Sequence, residues 1–225
     1  MVMTCTWLTS ALAVVEDQHL LKHPFYQLWT RGELPLDALQ IYARQYFQQV
    51  LAFPRYLSAV HANCPDLATR QEILGNLAAE ELGPNNHPEL WLRFAEGLGV
   101  TRAEILTSTA NPHTQAAIAT QLELSRNLPY GAGLAVVWAY ETQVPAVAQQ
   151  KISGLQQHYG INDGRTLEFF RVHGEADIHH SRAEETIIDQ WATTPQRQAQ
   201  VLQAVTETTQ ALNQILDGVM VQSGL

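Results

Sequence analysis

The chain has 225 residues, of which 46% are hydrophobic and 16% are charged, and its formal net charge is −9. This length and composition are typical of a globular protein, and we expect one domain over residues 1–225. The acidic balance argues against binding to nucleic acid, which depends on Lys and Arg to neutralise phosphates. It also argues against a membrane partner, because the chain has no basic segment for an anionic surface to attract.

The two cysteines, Cys5 and Cys64, are too few for a disulfide framework or a thiolate zinc site. We therefore expect a cytoplasmic protein. The apolar stretch over residues 7–15 lacks the basic flank of a signal peptide and continues into Glu16 and Asp17. We interpret it as an amphipathic first helix. No apolar run reaches the roughly 18–20 residues that span a bilayer.

Apolar periodicity and turn residues predict helices along the whole chain. The predicted helices cover residues 7–15, 23–32, 36–62, 67–82, a segment from 87, a segment from 101, 114–126, 130–159, 166–191 and a last segment from 195. Thr101 and Glu104 have capping-box spacing, and Thr194 before Pro195 is typical of a helix start. Pro54 should kink its helix. No convincing strand pair is found, so the predicted fold class is all-α, with about eight or nine helices.

Three of the nine histidines lie between residues 173 and 180. His173, Asp177 and His180 are four and then three residues apart, so a helix places them on one face and turns His179 away from it. Imidazole and carboxylate together suit iron, manganese or zinc. On this spacing alone, a polar stripe facing solvent is an equally good interpretation.

Glu80 and His87 form a second candidate pair. They are seven residues apart, or two helical turns, and the Gly83-Pro84 break lies between them. The break could either separate the two side chains or let His87 turn inward. One member of the Glu80-Glu81 pair is expected to be exposed.

Glu141 is the third candidate, because it follows an apolar run on a helix with a buried pattern. A lone buried carboxylate needs a partner. Pro145 cannot donate a hydrogen bond to the Glu141 carbonyl, so the helix should distort at this residue.

The three segments together offer three carboxylates and three histidines, which is more than a tetrahedral zinc site needs. They suit two first-row transition-metal ions with open positions left for oxygen. The paired Glu-x-x-His motif of ferritin-like sites is absent, so this is a different helical carboxylate site. The six predicted metal ligands are Glu80, His87, Glu141, His173, Asp177 and His180.

Four stretches, at residues 23–26, 52–59, 140–145 and 175–177, carry a resemblance to a known family. The chain resembles the heme-oxygenase-like dimetal oxidases, in particular the chlamydial protein CADD and its bacterial relatives, and is more distantly similar to PqqC and TenA. The resemblance covers about residues 12–217. It implies a heme-oxygenase-like helical bundle, a homodimer, and the same six metal ligands.

The resemblance also implies an activity, the O₂-dependent formation of para-aminobenzoate for folate biosynthesis at a diiron or manganese–iron pair. Tyr26 matches a tyrosine that supplies the aromatic ring, and Lys151 matches a lysine implicated as the amino donor. Tyr42, Tyr46 and Tyr140 would line the pocket. Without the resemblance, Tyr26 is typical of a packed core aromatic and Lys151 of a surface lysine.

Several alternatives stay open. The same dimetal site could oxidise a diffusible small molecule, or the chain could be a non-catalytic protein-interaction module. A TenA-type thiaminase is disfavoured because neither Cys5 nor Cys64 has a base at recognisable spacing. A cofactorless PqqC-like oxidase would not need six such ligands. Residues 82–85 and Phe47 depart from the chlamydial pattern, which leaves the substrate open.

Overall fold

The computed structural model describes residues 6–225, apart from the side chains of Thr6, Glu175 and Ala176. Over this range the secondary structure is helical, without a strand. The α-helices are α1 (Thr6–Asp17), α2 (Pro24–Arg31), α3 (Leu36–Asn63), α4 (Leu67–Glu81), α5 (His87–Gly97), α6 (Arg102–Leu106), α7 (Pro112–Asn127), α8 (Tyr130–Glu141), α9 (Val144–His158), α10 (Gly164–Trp191) and α11 (Pro195–Ser223). A short 3-10 helix, Leu20–Lys22, precedes α2. The prediction of an all-α fold is confirmed.

The helix starts follow the local sequence. Thr101 and Glu104 form the predicted capping box at α6, and the Thr194 side chain accepts a hydrogen bond at the start of α11. Pro54 lies inside α3 without ending it. The predicted number of helices was too low. The segment predicted as one helix over 130–159 is divided into α8 and α9.

The helix α8 lies in the centre of the molecule and is buried from Gly131 to Glu141. It packs against α3, α7, α10 and α11, which explains why its sequence is apolar on all sides. The helix α10 packs against α5, α8 and α9, and α3 packs against α4 and α5. Helices α3, α4, α5, α8 and α10 therefore meet around one buried region.

No helix in residues 6–225 is both long enough and apolar enough to cross a bilayer.

Candidate metal centre and aromatic pocket

The helix α10 presents the predicted stripe to the interior. His173 and Asp177 are buried and His180 is partly buried, whereas His179 is exposed. The Nδ1 atom of His173 lies 2.7 Å from the carbonyl oxygen of Phe169, one turn earlier. This contact assigns the ring proton to Nδ1 and leaves Nε2 as a free electron-pair donor, as in many metal-binding histidines. The helical spacing of the stripe is therefore sufficient to gather its three side chains.

Glu80, His87 and His173 form a first triad, whose candidate ligand atoms lie within 4.8 Å of one another. Glu80 stands near the end of α4 and His87 begins α5. The His87 Nδ1 atom is 2.6 Å from Glu80 Oε2, and the His87 and His173 rings are 4.0 Å apart between centroids. Glu81 is exposed, as expected of one member of the acidic pair.

The loop between α4 and α5 turns His87 toward Glu80. Gly83 has a φ of 82°, a left-handed conformation that favours glycine. Asn86 donates a hydrogen bond to the Gly83 carbonyl and accepts one from the Glu89 backbone, which caps α5. The break at Gly83-Pro84 therefore brings the two candidate ligands together instead of separating them.

Glu141, Asp177 and His180 form a second triad with the same 4.8 Å limit. Glu141 is the last residue of α8, and α9 restarts at Val144 with Pro145 in its first turn. The predicted distortion is thus a helix end, because Pro145 cannot continue the hydrogen bonding of α8. His180 Nδ1 lies 3.8 Å from oxygen atoms of both Glu141 and Asp177.

Burial shifts the pKa values of these groups toward their neutral forms. It raises the pKa of Glu141 to about 8, and the charge of Glu80 adds to the rise while the Asn76 hydrogen bond opposes it. Burial and the charges of Glu141 and Glu80 raise the pKa of Asp177 well above its usual range. Burial, aided by His87, lowers the pKa of His173 well below its usual value. The His173 imidazole is therefore a neutral ligand, and the carboxyl groups of Glu141 and Asp177 must lose protons to bind a cation.

The second triad also has buried donor atoms that no other group among residues 6–225 satisfies. Buried atoms without a hydrogen-bond partner, within the described part of the chain, include one from each member of this triad, namely Glu141 Oε2, Asp177 Oδ2 and His180 Nδ1. Buried polar atoms nearly always have a partner. Three orphaned electron-pair donors in one region are the donor set that a transition metal satisfies.

Two functional candidates were missed in the sequence, namely Asn76 and Glu184. Both are buried, and the Asn76 amide donates to Glu141 Oε1 at 2.9 Å and to Glu184 Oε1 at 3.5 Å. Burial and the nearby charge of Glu141 raise the pKa of Glu184 well above its usual range. Glu184 follows His180 by one turn, so continuing the stripe along α10 would have found it. Asn76 had no comparable signal.

A cluster of tyrosines lies beside the first triad. The Tyr26 and Tyr42 hydroxyls are 3.3 Å apart, and the Tyr42 and Tyr46 rings are 5.1 Å apart between centroids. Tyr46 and Tyr140 both line a cavity with Glu80 and His173. The residues expected to line a pocket therefore form a continuous aromatic path from Tyr26 to the first triad.

Lys151 lies among these rings, with only 4% of its surface exposed. The interpretation of Lys151 as a surface lysine is therefore wrong. Its Nζ atom is 5.6 Å from the Tyr26 ring centroid and 5.3 Å from that of Tyr42. Burial alone lowers the pKa of Lys151 to about 7, so a large share of the amine is neutral and nucleophilic near neutral pH.

The spaces around Lys151 and the first triad are small. A cavity of about 10 Å³ lies between Lys151, Tyr140 and His173, and a second of about 10 Å³ lies next to Glu80. Each has room for about one water.

Cys64 is buried directly after the end of α3, where its thiol contacts the Asp66 carbonyl. It does not line either cavity, which agrees with the argument against a thiaminase. Cys5 lies outside the described residues.

Comparison with known protein sequences identifies the family of the chain. A sequence profile described as iron-containing redox enzyme matches residues 40–213. The chain belongs to this family of iron-containing redox enzymes. Together with the two triads, the family indicates a metal cofactor.

Individual proteins are also similar to this chain over nearly its whole length. The chain is 46% identical to a 4-aminobenzoate synthase of Nitrosomonas europaea over 216 residues, which cover 92% of this chain and 88% of the relative. It is 38% identical to a 4-aminobenzoate synthase of Chlamydia muridarum, over 91% of this chain and 86% of the relative. A solved domain from Shewanella denitrificans with a heme oxygenase-like fold superposes with a TM-score of 0.80 at 18% identity, covering 100% of this chain and 97% of that one. The predicted heme-oxygenase-like bundle is confirmed.

Proposed function

We propose that this chain forms 4-aminobenzoate in an O₂-dependent reaction at a pair of metal ions, with Tyr26 supplying the aromatic ring and Lys151 the amino nitrogen. The relatives named 4-aminobenzoate synthase match nearly the whole chain. In this proposal each chain is a reagent that is consumed by its own reaction.

The two triads would hold one ion each, the first by Glu80, His87 and His173 and the second by Glu141, Asp177 and His180. Ligands of this kind suit a diiron or a manganese–iron pair. When bound, the ions would activate O₂ to an oxidant. The chain's own contribution is to hold His173 in one orientation through the Phe169 carbonyl, and to keep bulk water from the buried carboxylates.

The size of the cavities is the observation that carries the proposal. A cavity that binds benzene has a volume on the order of 150 Å³, whereas the two cavities near the first triad have about 10 Å³ each. A diffusible aromatic substrate does not fit without a large rearrangement. A molecule of the size of O₂ needs far less movement. The small cavities therefore favour a reaction of an aromatic ring that is already part of the chain.

Tyr26 and Lys151 have the properties that their roles require. Tyr26 is 1% exposed, and burial keeps its pKa well above the usual range, so its phenol retains the proton. The Lys151 amine is partly neutral near pH 7 and approaches the Tyr26 ring within 5.6 Å of its centroid. No carboxylate forms an ion pair with Lys151 among the described residues, so its nitrogen is available.

Isotopic labelling tests the proposal. Protein prepared with ring-¹³C tyrosine is loaded with iron without air, with or without manganese, and exposed to O₂ and a reductant. We expect labelled 4-aminobenzoate, at no more than one product per chain. Unlabelled product, or many products per chain, would instead support a diffusible substrate.

The Tyr26→Phe variant should lose the product while keeping two bound ions, because it lacks the phenol that is oxidised. Tyr56→Phe is a matched control, since Tyr56 is also buried with its hydroxyl hydrogen-bonded, in this case to Gln49. The control should retain the wild-type yield. Wild-type yield from Tyr26→Phe would refute the role of Tyr26.

A further inference from the structure

A fourth buried carboxylate adjoins the second triad. Glu184 lies one turn after His180 on α10 and is 5% exposed. Its Oε1 atom shares the Asn76 amide with Glu141, at 3.5 Å and 2.9 Å respectively. Asn76 thus holds the Glu184 carboxyl group next to a candidate metal ligand.

The described part of the protein places no positively charged side chain in the cavity beside Glu184. Its Oε2 atom and Asn76 Oδ1 are buried without hydrogen-bond partners. The residues that line the adjoining cavity include Ile73, Leu134 and Ile187, and they include no Lys or Arg. A buried carboxylate normally has a cation or several donors beside it. What is missing around Glu184 is therefore positive charge.

Two bound divalent ions would supply the positive charge that Glu184 lacks. Glu80, Glu141, Asp177 and Glu184 are four buried carboxylates, and a histidine that binds a metal ion is neutral. Two divalent ions held by the six predicted ligands would leave one excess positive charge in a low-dielectric interior. With Glu184 ionised, four negative charges balance two divalent ions, which burial strongly favours.

Glu184 also has room to move. The cavity beside it is lined by Asn76, His180 and Glu184. Its volume is about 40 Å³, whereas the cavities next to the first triad have about 10 Å³ each. A glutamate side chain can change its rotamer within such a space.

We propose that Glu184 is a further metal-binding carboxylate, which Asn76 positions and which turns toward the ion held by Glu141, Asp177 and His180. The inference rests on the proposed pair of metal ions and adds a residue to the second of them. With Glu184 the second site has three carboxylates, against one in the first.

Titration with Mn²⁺ tests this assignment, because bound and free Mn²⁺ are distinguished by electron paramagnetic resonance. We expect wild-type protein to bind two ions, and Glu184→Gln to bind the first normally and the second about 10- to 100-fold more weakly. Glutamine keeps the shape and the Asn76 contact but removes the charge. Glu185→Gln, a change at the next residue of α10, should leave both affinities unchanged.

If Glu184 is only a neutral packing residue, glutamine replaces it fully, and two wild-type affinities in Glu184→Gln would overturn the inference while leaving the proposed function intact. Fewer than two ions in wild-type protein would overturn the proposed function itself. Glu184→Ala provides an independent arm if the glutamine variant does not fold. Formate should restore second-ion binding to Glu184→Ala, and a folded protein that formate does not rescue would count against the assignment.

Discussion

At the scale of single residues, the buried Lys151 should make the free energy of unfolding depend on pH. Its pKa is about 7 in the folded chain and 10.5 in an unperturbed lysine, so the unfolded state binds more protons between these values. The contribution of Lys151 to the free energy of unfolding therefore becomes less unfavourable as the pH rises from 7 to about 10.5. We expect metal-free Lys151→Met to be more stable than wild type in urea at pH 7, by a margin that shrinks at pH 9.

The control for this measurement is Lys22→Met, which changes an exposed lysine paired with Glu16. Its stability relative to wild type should vary little between pH 7 and pH 9, because surface pairs contribute little. A Lys151→Met margin that is constant over this range would show that Lys151 is charged in the folded chain. Its role as a neutral nucleophile would then fail.

A pair of glycines allows the loop before His87 to be tested. Gly83 has a positive φ and lies in open space, so alanine there meets no atom but is strained in the left-handed region. We expect Gly83→Ala to lower the free energy of unfolding by about 1 kcal/mol. Gly75→Ala, in the interior of α4 and also in open space, should raise it by about 1 kcal/mol. Equal effects from both substitutions in urea denaturation would contradict this account of the loop.

At the scale of elements, the contact between α2 and α9 sets the distance between Tyr26 and Lys151. A Cβ atom on Gly154 would lie 2.4 Å from the Trp29 side chain, and Trp29 is fully buried. Gly154→Ala should therefore force α9 away from α2 and destabilise the protein by about 1–3 kcal/mol. It should also reduce the yield of 4-aminobenzoate in protein that still binds two ions. A folded variant with normal yield would show that the close approach of the two helices is not needed.

Sequence spacing predicted the parts of the site that lie within one helix. His173, Asp177 and His180 share a face of α10 because helical geometry alone determines it. The end of α8 at Glu141 was also predictable, since Pro145 removes a specific hydrogen bond. Asn76 and the burial of Lys151 were not predictable, because they depend on how α4 and α9 pack against other helices. No local pattern distinguishes those residues from ordinary polar surface residues.

At the scale of the whole molecule, metal binding should depend on pH. In the metal-free chain Glu141 has a pKa of about 8 and Asp177 also has a raised pKa, so both hold protons at pH 6. A cation must displace these protons, and its apparent affinity should rise between pH 6 and pH 8, by up to about tenfold per unit for each proton released. Mn²⁺ titrations at pH 6, 7 and 8 measure this rise. A flat profile would mean that the carboxylates are already ionised.

The all-α class and the heme-oxygenase-like fold were both predictable, because nearly every segment has helical periodicity and the resemblance spans most of the chain. The number of helices was not predictable, because short connections such as Thr142-Gln143 interrupt helices without a strong turn signal. The homodimer stays a prediction, which size-exclusion chromatography with light scattering can check.

The burial of Tyr26 has a consequence for the protein after its reaction. If the Tyr26 ring leaves the chain, the space that it filled between Phe25, Trp29 and Tyr42 is left without a side chain of similar size. Truncating a large aromatic residue in a core costs on the order of 3–5 kcal/mol, a sizeable fraction of the stability of a typical domain. The spent chain would thus unfold more readily than the fresh one, and proteases in the cell would remove it selectively.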